Sequence, residues 1–166
     1  MLFPTHVVGG IAAGLMVADG VSIEKAAVFA CVSGIAALLP DIDSPESFVG
    51  ARVPVLPTAI GGTLGHRGAT HSLLAGLFWA ILIAVIAMIA GWKQPQTLLI
   101  AFLAGYISHL ILDIFNPAGV PLLWPLPVRF TIPLMHTGGI LEKLLVFPVI
   151  SGWVLLEVYK RSGGLI

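Results

Sequence analysis

The chain has 166 residues, of which 58% are hydrophobic and only 10% are charged, and its mean hydropathy is +1.04. Soluble globular domains carry about a quarter charged residues, so this composition excludes an ordinary soluble domain and predicts an integral membrane protein. The net charge is zero and there is no basic run interleaved with aromatic residues. We therefore expect the lipid bilayer, and not nucleic acid, as a partner.

The apolar runs are continuous instead of alternating, which favours membrane helices over a membrane β-barrel. We predict an all-α, polytopic helical bundle that forms a single integral membrane domain over residues 1–166. The third segment has no charged residue for 20 positions, the length that a helix needs to cross ~30 Å of hydrocarbon. The first two segments are shorter and are expected to form a helical hairpin. The five predicted segments are Phe3–Ala18, Ile23–Leu39, Thr70–Trp92, Gln96–Phe115 and Ile140–Tyr159.

Two stretches between these segments are rich in proline and glycine and have no regular hydrophobic period. Residues 45–65 are expected to form a loop, which could act as a lid. Residues 117–139 are expected to be interfacial or re-entrant instead of spanning. Neither stretch marks a boundary between domains, which agrees with a single domain.

Successive membrane segments alternate in direction, so each segment end can be assigned to one of the two membrane faces. With this assignment, all five histidines and three of the four aspartates fall on the face that holds the N-terminus. Scattered polar residues would not sort in this way. The candidate site residues on this face are His6, Asp41, Asp43, His66, His71, His109 and Asp113.

Two pairs in this set have the spacing of metal ligands. His109 and Asp113 are four residues apart on an apolar helix, so both side chains share one face and can reach one ion. Asp41 and Asp43 follow Pro40, and two carboxylates so close repel each other unless a cation separates them. The alternatives are a hydrogen-bonded His-Asp pair between helices and a solvated helix stop.

The motif around the start of the third segment adds candidates for catalysis. His71 stands at the helix start and is a candidate ligand. His66 could be a second ligand or a general acid or base, since the ordinary pKa of histidine is near neutrality. Arg67 could bind an anionic substrate such as a phosphate ester, or it could be an interfacial arginine. We predict His66 and Arg67 as catalytic residues.

Nitrogen and oxygen ligands without a thiolate favour zinc, with manganese and iron as alternatives. Seven candidates exceed the four ligands of one tetrahedral ion. Two arrangements remain open: two ions that share a carboxylate, or one ion whose ligands are oriented by the remaining residues.

In combination, these motifs resemble the YdjM/YbcI family of bacterial and archaeal inner-membrane proteins, described as metal-dependent hydrolases. The motifs that carry the resemblance are Thr5-His6, Leu39-Pro40-Asp41-Ile42-Asp43, His66-Arg67-Gly68, Thr70-His71-Ser72, Ser108-His109, Leu112-Asp113 and Asn116-Pro117. The resemblance implies a multi-pass inner-membrane hydrolase with the seven residues above as its metal-site set. Thr137-Gly138-Gly139 with Glu142 also resembles a family feature, which adds Glu142 to the candidate ligands.

We therefore expect hydrolysis by metal-activated water at one membrane face, on a membrane-resident or amphipathic substrate. A lipid phosphoester is the first choice, because Arg67 and Arg52 could receive an anion. The alternatives are a metal or proton transporter and a non-catalytic membrane scaffold with a structural metal. A transporter would need polar residues along a pathway at mid-membrane depth, whereas the middles of the third and fifth segments are nearly bare of them. The positive residues divide equally between the two faces, so the sequence does not orient the protein, and it leaves the oligomeric state open.

Overall fold

The computed structural model describes residues 1–45, 47, 50–52 and 68–164. The predicted all-α fold is confirmed over these residues, which contain no β-strand and one isolated antiparallel bridge between Val120 and Phe130. The predicted loop of residues 45–65 lies largely outside the described residues. The described part of the chain forms five α-helices: α1 (Phe3–Val17), α2 (Ile23–Ala36), α3 (Leu73–Ile89), α4 (Pro95–Ile114) and α5 (Phe147–Arg161).

Two helical stretches are long and apolar enough to cross a membrane. They are Ile23–Asp43, which combines α2 with the short 3-10 turn that follows it, and α4. Helices α1 and α3 are also apolar but have only 15 and 17 residues. At 1.5 Å per residue these helices are about 22 and 26 Å long, which is less than ~30 Å of hydrocarbon. A membrane-embedded helical bundle is thus supported, while the crossing of the membrane by all five segments stays a prediction.

One helix begins later than predicted, and another contains a wider turn near its predicted start. Helix α3 begins at Leu73 because the residues before it form a 3-10 turn, Ala69–His71, and because the Ser72 hydroxyl caps the helix by accepting a hydrogen bond from the Ala75 N–H. The fifth segment is helical from Ile140, as predicted, and contains a π-helical turn, Glu142–Val146, before α5. Proline at position 148 has no N–H to donate to the preceding turn, which accounts for the wider backbone there.

The helices approach closely where they carry small residues. Helix α1 packs against α2, α4 and α5, α2 packs against α4, and α3 packs against α4. Cβ atoms at Gly10 and Gly14 would lie 2.5 and 2.6 Å from carbonyl oxygens of α2, so this pair with four-residue spacing allows α1 and α2 to touch. The Ser33 hydroxyl of α2 donates a 2.6 Å hydrogen bond to the Ala101 carbonyl of α4. These contacts fix the ends of the helices relative to each other.

The outer surface of the bundle is apolar. Helix α5 has no buried residue, and Ile89, Leu144 and Leu155 are each at least 70% exposed. Large apolar side chains on the outside and buried polar side chains within reverse the pattern of soluble proteins and are typical of a protein that faces lipid. The end of α5 is nevertheless anchored, because the Arg161 guanidinium donates hydrogen bonds to the carbonyls of Ala18 and Leu15 at the end of α1.

Candidate metal centre

Three helix ends meet at a cluster of two histidines and two aspartates. Asp41 lies in the 3-10 turn after α2, His71 in the turn before α3, and His109 and Asp113 on the last turns of α4. Their ligand atoms all lie within 4.8 Å of one another. Three of the four side chains are at most 1% exposed, and Asp41 is 20% exposed. The predicted convergence of segment ends at one face thus brings these four residues together.

The distances within this cluster fit a shared ion better than direct hydrogen bonds. His71 Nε2 lies 3.4 Å from Asp41 Oδ1, and His109 Nε2 lies 3.6 Å from Asp113 Oδ2. Hydrogen bonds of this type are about 2.7–3.2 Å long, whereas two ligand atoms ~2.1 Å from one tetrahedral ion are about 3.4 Å apart. Both Nε2 atoms are buried with no hydrogen-bond partner among the described residues. The donor set therefore fits a divalent metal ion.

Hydrogen bonds behind the cluster orient both imidazole rings. The Nδ1 atom of His109 lies 2.7 Å from the Ala37 carbonyl oxygen, to which it donates. The Thr70 hydroxyl donates to Asp43 Oδ2 at 2.7 Å, so its oxygen accepts from the Nδ1 of His71 at 3.2 Å. With the proton on Nδ1 in both rings, each Nε2 presents a lone pair to the cluster.

Burial also keeps His71 in the form that binds metals. Desolvation lowers the pKa of His71 below its ordinary value of 6.5, and the neighbouring Asp41 carboxylate opposes this shift in part. A lowered pKa means that the imidazole is neutral at pH 7. A neutral imidazole is the ligand that a metal ion requires.

Thr70→Val should weaken metal binding although Thr70 is not among the four ligands. Valine matches threonine in shape but cannot accept the proton of His71 Nδ1, so the ring loses its orientation. Removing such a partner typically costs 10–100-fold in metal affinity. Titration of the metal-free protein with zinc measures the effect, and Thr70→Ser, which keeps the hydroxyl, should bind as the parent does. Equal affinity of the valine variant would contradict this role.

His6 lies next to the cluster on the other side of Asp113. Its Nε2 is 3.3 Å from Asp113 Oδ1, and its ring stacks on His109 with centroids 3.7 Å apart. The α-amino group of Met1 also lies 2.5 Å from Asp113 Oδ1. The other oxygen of this carboxylate faces His71 and His109. Asp113 therefore faces His71 and His109 of the cluster with one oxygen and His6 with the other.

The remaining predicted ligands have different surroundings. Asp43 is buried but stands behind the cluster, where it accepts the hydrogen bond from Thr70. Glu142 is fully buried, and its two oxygens accept hydrogen bonds from the N–H groups of Leu2 and Gly138 at 2.7 and 2.6 Å. Glu142 thus joins the start of α1 to the loop before the π-helical turn. Neither residue belongs to the group of four.

Glu142→Gln should leave the bound metal unchanged and lower the thermal stability. Glutamine keeps one carbonyl oxygen but points an amide N–H₂ at the second backbone N–H, and an unsatisfied buried donor costs roughly 1–3 kcal/mol. The metal content and the unfolding temperature of the purified variant test this expectation. Loss of metal at unchanged unfolding temperature would instead identify Glu142 as a ligand.

The two predicted catalytic residues, His66 and Arg67, lie outside the described residues. The sequence did not predict that the Thr70 hydroxyl and the Ala37 carbonyl accept hydrogen bonds from the two ligand imidazoles. No role was predicted for Tyr106 either, whose hydroxyl donates to the Thr70 carbonyl. A hydroxyl residue directly before a candidate ligand was the available signal for Thr70. A backbone carbonyl offers no such signal.

Comparison with known proteins gives a family. The family model described as YdjM inner membrane protein matches residues 1–165. The Inner membrane protein YdjM of Escherichia coli (strain K12) is 43% identical over 110 residues, which are 65% of this chain and 56% of that protein. The protein YvsG of Bacillus subtilis (strain 168) is 31% identical over 156 residues, 93% of this chain and 91% of the relative.

A second Bacillus subtilis protein, YfhP, is 31% identical over 169 residues, 96% of this chain and 46% of its own length. The chain thus spans about half the length of YfhP and of the Escherichia coli relative. No solved structure matches. The family match covers the start of α1, all four cluster residues and α5, and it agrees with the apolar outer surface of the bundle. The protein is located in the inner membrane, and the chain belongs to the family of the YdjM inner membrane protein.

Proposed function

We propose that this protein is a metal-dependent hydrolase of the inner membrane. The observation that carries the proposal is the convergence of two imidazole nitrogens and two carboxylates, from three helix ends, at the spacing of the ligands of one ion. Ionisable side chains inside a membrane protein are costly and usually serve function. Zinc is the first choice of ion for this donor set, with manganese and iron as alternatives.

A divalent ion bound by these residues would lower the pKa of a water molecule to near neutrality and stabilise charge on the leaving group. The chain's own residues supply the environment. The Ala37 carbonyl and Thr70 hold the two imidazoles with Nε2 towards the cluster. Asp41 is the one member of the four with appreciable exposure, so water and substrate would reach the centre from its side.

The position of His6 supports a second ion in the same centre. Its two ring nitrogens are buried with no hydrogen-bond partner among the described residues, and its Nε2 faces Asp113 Oδ1. A histidine thus faces each side of the Asp113 carboxylate, so Asp113 and His6 would be among the residues that hold a second ion, which would supply further charge stabilisation of the kind used by phosphoesterases. His66 is our proposed general acid or base and Arg67 the proposed contact with an anionic substrate.

We propose an amphipathic ester, first of all a lipid phosphoester, as the substrate. The cluster lies where Asp41 and Asp113 end the stretches Ile23–Asp43 and α4, the two helical stretches long and apolar enough to span the bilayer. A centre at that depth meets the polar groups of lipids instead of their apolar chains. This placement also agrees with a multi-pass bundle in which successive helices alternate in direction.

A membrane scaffold with a structural metal is the second candidate. The observation that favours it is the burial of His71, His109 and Asp113, each at most 1% exposed, because structural metal sites are closed. A transporter is supported less, since the polar cluster lies at one end of the helices and α3 carries no charged residue along its length.

The first experiment measures metal and hydrolysis in the same preparation. Elemental mass spectrometry of the detergent-purified protein should find one or two equivalents of zinc, manganese or iron. Turnover of phospholipids or of soluble phosphoesters should disappear after chelation and return with the metal. The exposed His136 offers a control, because His136→Ala should change neither result. Bound metal without turnover of any ester would favour the scaffold, and a protein that binds no metal would contradict both candidates.

A further inference from the structure

An apolar groove of about 370 Å³ runs along the outside of the bundle between α2 and α3. Its lining side chains are all aliphatic or aromatic, and Phe102 of α4, only 4% exposed, lies at its base. Ile35 and Ile86 on its rim are 72% and 56% exposed, so in the described part of the chain the groove is open towards the surroundings of the bundle. One wall is formed by Val32 and Ala36 of α2 and by Leu39, which follows α2, and the other by Trp79 and Ile83 of α3.

One end of this groove lies beside the metal centre. Leu39 lines the groove, and two residues later Asp41 provides the partly exposed ligand of the cluster. Ala36 lines the groove as well, and the neighbouring Ala37 carbonyl holds the ring of His109. The last turn of α2 therefore forms the groove on one side and supports the metal centre on the other.

The surroundings and the size of the groove identify what fills it. The groove follows a helical stretch long and apolar enough to span the inner membrane, and there the available apolar molecules are lipid acyl chains. A volume of about 370 Å³ holds roughly a dozen groups of methylene or water size at about 30 Å³ each. That is room for most of one acyl chain and far too little for a partner helix about 10 Å across.

We propose that this groove binds one acyl chain of a membrane phospholipid and thereby places the lipid's polar ester at the Asp41 side of the metal centre. The proposal rests on the proposed function for the role of the lipid as substrate. The binding of the chain itself rests only on the groove. The groove would then select two-tailed or single-tailed lipids over water-soluble esters with the same polar group.

Two tryptophan substitutions on the same helix test the groove. Ile83→Trp fills it from the α3 wall, whereas Ile81→Trp adds the same side chain at a position that is 48% exposed and outside the lining. The full-length protein is purified, stripped of lipid by detergent and mixed with 1-palmitoyl-2-oleoyl phosphatidylglycerol in micelles. Native mass spectrometry then counts the retained lipid, and elemental mass spectrometry checks that the metal content is equal in all proteins.

We expect the parent and Ile81→Trp to retain one phosphatidylglycerol per chain and Ile83→Trp to retain at least ten-fold less. Val32→Phe, which narrows the groove from the opposite wall, should give the same loss and decides the outcome if Ile83→Trp does not fold. Retention by both groove variants equal to that of the parent would overturn the proposal. So would a parent that holds no lipid but forms a dimer that Ile83→Trp dissociates.

Measurements of turnover distinguish lipid binding by the groove from hydrolysis at the metal centre. If the hydrolase proposal is right as well, Ile83→Trp should lose at least ten-fold in phospholipid turnover and keep its turnover of a soluble phosphoester. Selective loss of lipid retention, without turnover of either substrate by any protein, would support the groove and contradict the hydrolase. Equal loss of both turnovers at equal metal content would contradict the groove as the element that selects lipids.

Discussion

Asp113→Asn is expected to remove nearly all bound metal, leaving less than about a tenth of the parent's content. Asparagine has the size of aspartate but no negative charge, and its amide nitrogen is a donor that cannot bind a cation. Asp113 faces His71 and His109 with one oxygen, at 3.9 and 3.6 Å, and His6 with the other at 3.3 Å. The substitution therefore removes the negative charge that faces all three histidines and leaves Asp41 as the only carboxylate among the four ligands.

The matched control for this experiment is Asp19→Asn. Asp19 is exposed in the turn between α1 and α2, so its replacement should leave the metal content at the parent level. Both variants are purified side by side, and circular dichroism establishes that their helix content equals that of the parent. Full metal content in Asp113→Asn would contradict the metal centre, because Asp113 faces His71 and His109 with one oxygen and His6 with the other.

The polar ends of the helices could be predicted from the sequence for a simple reason. His109 and Asp113 share a face because of the helical repeat, and Asp41 and His71 reach them because each follows or precedes an apolar run that must cross or enter the same layer. The end of the bundle at which a residue lies therefore follows from hydropathy. Glu142 shows what this reasoning cannot predict, since the end of the bundle does not tell whether a carboxylate faces an ion or backbone N–H groups.

The hydrogen bonds that orient the ligand side chains could not be predicted from the sequence. The bond from His109 to the Ala37 carbonyl joins residues 72 positions apart and depends on how α2 crosses α4. That crossing is set by the close approach at Ser33, which hydropathy does not report. The first helix ends at Val17, within one residue of its predicted end, and has only 15 residues, so the number of membrane crossings stays a prediction.

The other large expected effect concerns the close approach of α4 to α2 and arises in the variant Gly105→Ala. Gly105 lies on α4 one turn before His109, and a Cβ atom there would overlap the Ser33 carbonyl oxygen and lie 2.6 Å from the Ser33 Cα atom. These are backbone atoms of α2, so no side chain can rotate away. We expect α4 to move from α2 at a cost of about 3 kcal/mol or more, with a correspondingly lower unfolding temperature.

The control for Gly105→Ala is Gly152→Ala on α5, where a Cβ atom would meet nothing within 4 Å. Alanine is a better helix former than glycine, so this variant should be as stable as the parent or more stable by about 0.5–1 kcal/mol. Thermal unfolding in one detergent compares the three proteins, and elemental mass spectrometry compares their metal. Since separation of α2 from α4 would break the bond between His109 and Ala37 and draw Asp41 away, Gly105→Ala should also lose metal without touching a ligand. Parent-like stability and metal content in Gly105→Ala would show that the metal centre does not depend on this crossing.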